Sequence, residues 1–207
     1  MRTPPTAPLL ALVLVICAFL VGCTPTADSD SPTGTGETTP TPSRTEGQTL
    51  WTIAGTEQQL PDDDPDVQAV RTLVTVHSGV VDNRAPETIE ASLEKEFNFY
   101  TPEFAAALEN VGWRTITLKR ANSSAAILEQ HGIAWMQSTI NAKRITANVR
   151  YESYVVFTSG TEAFLQDNGL TLGTEYVMVR EVTATVHDGE WLISDVRESG
   201  LQPRSIP

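Results

Sequence analysis

The sequence predicts an α+β domain in which helices come first and long antiparallel strands follow. Three observations carry this. Val67, Val70, Val74, His77 and Val81, joined by Leu73 and Val80, recur at helical spacing early in the chain. Long β-like runs dominate later, over 145–157, 176–186 and 191–196. Between the last two stands His187-Asp188-Gly189-Glu190, and Asp-Gly between alternating apolar runs is the strongest short hairpin signal.

The elements follow in order. Asp62-Asp63-Asp64-Pro65-Asp66 opens the first helix: Asp64 caps free N–H groups, Pro65 suits the first helical position, and the acids match the positive helix end. A calcium loop is the alternative, but the run lacks the Gly and the distant Glu of an EF-hand loop. A second helix is expected from Ala85-Pro86-Glu87 to about Lys95, burying Ile89 and Leu93. Thr101 caps a third, with Phe104, Ala105 and Leu108 inward and Gly112 at its end. Trp113 to Leu118 alternates and reads as a strand, and Ser123 to Gln130 as a helical turn. Ile133 to Ile140 reads as one run, with Ala142-Lys143-Arg144 as a turn before Ile145. Gly160 to Thr174 is Gly-containing and polar and reads as a loop.

Three stretches resemble the nuclear transport factor two-like superfamily: the helix 67–81, Tyr100-Thr101-Pro102-Glu103-Phe104, and the closing Asp188-Gly189-Glu190-Trp191-Leu192-Ile193-Ser194-Asp195-Val196. The resemblance lies in the order of elements over most of 62–200. It implies N-terminal helices packed on a curved antiparallel sheet, a cone-like roll with a pocket.

Ahead of the domain, Leu9 to Val21 carries no charge, and Arg2 is the only basic side chain before it. A run of about a dozen apolar residues is a signal segment rather than a span, which needs roughly twenty. An uncleaved anchor is the alternative. Leu20-Val21-Gly22-Cys23 resembles the lipobox of bacterial lipoproteins, which implies a diacylglyceryl group on the Cys23 thiol and cleavage between Gly22 and Cys23. Two or three acyl chains on one residue hold a protein stably where one does so marginally. Residues 1–22 are thus expected as signal peptide, 23–61 as lipidated Cys and disordered tether, 62–200 as the domain and 201–207 as a tail. The tether is rich in Thr, Pro, Ser and Gly from Thr24 to about Gln48, too polar to offset chain entropy. Within it Leu50-Trp51-Thr52-Ile53 is an apolar island, and Trp51 is expected to touch the domain. The only cysteines are Cys17 and Cys23, so a mature chain has no disulfide. A Cys17–Cys23 bridge would leave no folded product to stabilise.

The net charge is −12, and loss of Arg2 with the leader leaves −13. That balance argues against nucleic acid, which needs basic stripes, and against a surface that hugs anionic lipid. Only Lys95, Lys119 and Lys143 are lysines, which fits a GC-rich, actinobacterial source.

For catalysis the histidines are weighed first. His77 lies on the apolar stripe and reads as a core residue; His187 flanks a turn. His131, Trp135 and Tyr154 are the candidate pocket residues, His131-Gly132 as a pocket mouth. Tyr151 and Tyr154 fall three apart on a strand, hence on opposite faces. No histidine pair has metal-ligand spacing and no other Cys is available, so neither metal nor cofactor is expected. No catalytic residue is assigned. Two readings result: an envelope accessory module at the outer face of the cytoplasmic membrane, binding a small apolar ligand or partner protein, or a tethered enzyme resembling polyketide cyclases and ketosteroid isomerases. A homodimer through the sheet is compatible with either.

Overall fold

The structure, a computed structural model, describes residues 49–204. The signal segment, Gly22, Cys23 and the stretch 24–48 lie outside the described residues, as do 205–207.

β1 (Trp51–Ile53) and β2 (Gln59–Leu60) form a small hairpin with Trp51 opposite Leu60. Trp51 is 1% exposed, so the apolar island is clasped into the core, and strand pairing begins ahead of residue 62. α1 (Pro65–Val81) starts as its sequence requires: the Asp64 side chain accepts from the N–H groups of Asp66 and Val67, and Pro65 follows. Its buried face is Val67, Val70, Val74, His77, Ser78 and Val81. α2 (Ile89–Phe97) begins after Ala85, because Ala85–Thr88 closes a hydrogen-bonded turn first. In α3 (Pro102–Asn110) the Thr101 hydroxyl accepts from the Phe104 N–H.

The alternating run from Trp113 is not a strand. It opens α4 (Trp113–Ser124). Gly112, at φ +72°, turns the chain so that the Ile116 N–H bonds straight back to the Gly112 carbonyl. Short runs fit either period; in the helical form the Arg114 guanidinium stacks 3.7 Å over the Phe97 ring of α2. The turn expected over 123–130 is instead the end of α4, at Ala125 in left-handed backbone, and the start of β3 (Ile127–Trp135). The run to Ile140 splits, with β4 (Ser138–Ile140) leaving β3 to run parallel to β1.

β5 (Thr146–Ser159) and β6 (Glu175–His187) form the spine of the sheet, paired from Thr146–Thr185 to Val156–Glu175. Between them α5 (Glu162–Asp167), capped by Thr161, occupies part of the expected loop. β7 (Glu190–Glu198) follows the Asp188-Gly189 turn, and β8 (Gln202–Pro203) pairs with the start of β6. The order is β2-β1-β4-β5-β6-β7, with β3 also on β5 and β8 on β6.

The sheet is mainly antiparallel, curved and unclosed, with the helices packed on it. Helix-connecting loops touch the edge strands at single points: Arg84 and Leu128 exchange backbone hydrogen bonds, while Phe99 and Thr101 bond Ile193. One bulge sets the site geometry. Ala184 pairs with Ile193 but Thr183 with Asp195, so Ser194 is the extra residue and Asp195 faces away from buried Ile193.

Candidate functional site

The helix-facing side of the sheet carries charge at its centre. Asp82 ends α1 as its C-cap residue, and its carboxylate receives both Nη atoms of Arg180 on β6 at 2.6 Å each. Ser78 and Ser153 hydroxyls and the Gln130 amide also donate to it. Arg180 reaches on to Glu198 at 2.8 Å. Burial works against the charge on Arg180, but Glu198 and Asp82 outweigh it and hold its pKa above the ordinary value.

A second chain adjoins it. Arg84 Nη2 and the Tyr100 hydroxyl donate to the two oxygens of Glu96, each at 2.5 Å. His77 Nε2 lies 3.0 Å from the Tyr100 oxygen. Because that hydroxyl already donates to Glu96, Nε2 is the protonated nitrogen and donates in turn. Burial, then Arg180, lowers the His77 pKa to about 3, so the ring is neutral. Its Nδ1 has no hydrogen-bond partner, and neither does the buried Tyr151 hydroxyl. Burial raises the Tyr151 pKa, while the nearby Arg180 charge acts the other way. The network can fix α1 against β5 and β6. It can transfer a proton to a substrate only if it opens, since His77 and Asp82 are sealed from solvent.

The opposite side of the sheet is polar. An open groove of about 390 Å³ runs across β4 to β7, between Arg150, Glu181, Asp195 and Arg197, with Asn148 and Thr183 on its floor. Its charges are matched: Arg150 lies 3.6 Å from Glu181 on the neighbouring strand, and Arg197 3.0 Å from Asp195 along its own strand.

The three sequence-predicted pocket residues divide between these faces. Trp135 packs on the helix-facing side, against Tyr151 and under Arg71. Tyr154 points the other way, as its spacing from Tyr151 requires, and bonds Glu152. His131 stands 3.4 Å from Glu175, whose other partner, Arg204, lies over the Tyr154 ring. The structure thus joins His131 and Tyr154 in one exposed ionic cluster and separates Trp135 from it.

Asp82 and Arg180 were not singled out by sequence. A signal existed: Tyr176, Met178, Arg180, Val182 and Ala184 share one strand face, and Arg180 is the one charge among buried neighbours. Its partner lay too far along the chain to be read. Among the described residues, no group of three or more His, Cys, Asp or Glu is placed to hold a metal ion. Among them, too, no helix is long and apolar enough to cross a membrane.

No protein-family model matches the chain. No curated protein matches it. Several solved structures are similar in outline. VirB8 of Agrobacterium tumefaciens overlays at a TM-score of 0.42 and 8% identity, over 71% of this chain and 100% of that one. An IcmL-like type IV secretion system protein of Legionella pneumophila gives 0.41 and 10%, over 70% and 96%. A periplasmic fragment of TraM gives 0.44 and 9%, over 64% and 96%. The similarity extends to the outline of the fold and assigns no activity.

Proposed function

We propose that the chain is an exported lipoprotein, anchored through Cys23 at the outer face of the cytoplasmic membrane, whose nuclear transport factor two-like domain binds a partner protein. One observation carries the binding reading: the Asp82–Arg180 network occupies the centre of the helix-facing side. An apolar ligand seated there would lie against a buried ion pair and displace its hydrogen bonds, which is costly. Binding is left to the outer surface, where the groove is open and polar. The anchor reading rests on Leu20-Val21-Gly22-Cys23 and on the lack of any thiol after Cys23.

Three measurements test this. Cys23→Ser is expected to release the protein from membranes or to leave an unprocessed precursor; unchanged fractionation, with no lipid mass on the N-terminal peptide of the parent chain, ends the anchor reading. The released Cys23→Ser chain, in native mass spectrometry, is expected at its bare mass or as a homodimer. A retained small apolar molecule overturns the partner-protein reading. Limited proteolysis should remove 24–48 and leave a stable fragment that retains Trp51; protection throughout 24–48 contradicts the tether.

A further inference from the structure

The acidic balance of the chain is not spread evenly over its helices. α1, α2, α3 and α5 each carry carboxylates. α4 carries none, and holds Arg114, Lys119 and Arg120. Arg114 is engaged: it stacks on Phe97 and pairs with Glu109 at 2.5 Å, neutralising the acid at the α3–α4 corner. Lys119 and Arg120 are exposed, and among the described residues neither side chain has an ion-pair partner.

The same helix contributes little to the domain's core. Ser124 is its only buried residue, and α3 beside it has none. Ordinary surface helices bury an apolar stripe. Here Ile116 is 48% exposed and Val111, at the corner, 47%. Ile116, Lys119, Arg120 and Ser123 follow helical spacing and so lie along one face, with the apolar residue near the corner and the two cations beyond it.

We propose that this face of α4 docks onto the anionic bilayer surface, with Lys119 and Arg120 against lipid phosphates and Ile116 at the headgroup boundary. The occupant follows from charge and reach. Lipid at Cys23, on the reading above, keeps the domain within reach of the bilayer, since a flexible linker as long as 24–48 would span on the order of 30 Å. Each cation near an anionic leaflet tightens binding roughly fivefold. That is too little for a free domain, but tethering converts docking into an intramolecular step at an effective concentration in the millimolar range. The charge of the whole chain disfavours lipid, whereas this one helix, turned toward it, does not.

The test bypasses cellular lipidation, so it stands or falls separately from the anchor reading. The chain from Cys23 onward has a single thiol, which is coupled to a maleimide lipid in phosphatidylcholine vesicles with or without phosphatidylglycerol. Amide hydrogen exchange over 113–124 is compared between the two. Exchange should slow roughly tenfold on the anionic vesicles, recover in high salt and fail to slow in K119E/R120E, while β5 and β6 stay equally protected throughout. Equal exchange of α4 on both vesicles overturns the proposal. Protection that persists in K119E/R120E overturns it too, since lipid phosphate would then not be what is recognised.

Discussion

Asp82 and Arg180 meet in two buried hydrogen bonds of 2.6 Å across 98 residues of chain, locking the end of α1 onto the middle of β6. The lock depends on both partners. Arg180→Met leaves a buried carboxylate unpaired and should cost roughly 3–5 kcal/mol in urea unfolding, whereas Asp82→Leu with Arg180→Met should cost clearly less. A single variant within about 1 kcal/mol of the parent would show that the pair does not hold the fold.

His77 makes the domain acid-sensitive in a defined window. Its folded pKa is lowered to about 3 by burial first and Arg180 second, against an ordinary 6.5. Between these values the unfolded chain binds a proton that the folded chain refuses. The stabilisation is therefore complete above pH 6.5 and declines as pH falls toward 3, by up to about 5 kcal/mol in full. His77→Gln should flatten the decline between pH 6.5 and 5, where carboxylates contribute least. Parallel urea midpoints for parent and variant over that range would place the acid sensitivity elsewhere.

Asp64 has two tasks at the start of α1. It caps the Asp66 and Val67 N–H groups and accepts Arg144 at 2.9 Å. Asp64→Ala should lose about 1–2 kcal/mol, while Asp64→Asn keeps a capping oxygen and should lose less. Thermal unfolding of the two variants separates capping from charge; equal losses would assign the effect to the charge pair with Arg144 rather than to the cap.

The hairpin turn tests backbone conformation with little packing involved. Asp188 and Gly189 both have positive φ, +51° and +86°, and a Cβ at Gly189 would meet nothing within 4 Å. Gly189→Ala should still cost about 1 kcal/mol, because an L side chain strains a left-handed backbone. A melting temperature unchanged by Gly189→Ala would mean the turn relaxes into another type.

Local chemistry was legible wherever neighbours in sequence decide the outcome. The stripe 67–81, the caps Asp64 and Thr101, the Asp188-Gly189 turn and the opposite facing of Tyr151 and Tyr154 all follow from spacing and from groups a few residues away. These were enough to predict an α+β domain with helices first and antiparallel strands after. Where two periods fit equally, as from Trp113 to Leu118, spacing alone could not choose, and the folded chain is helical there, with Arg114 on Phe97 of another helix. The bulge at Ser194, the splitting of β3 from β4, and the division of His131, Trp135 and Tyr154 between faces were likewise set by pairing between strands. So was the burial of Arg180 on Asp82. A charge enters a core only when its counter-charge arrives with it, and which residue arrives is a property of the folded chain, not of any segment of it.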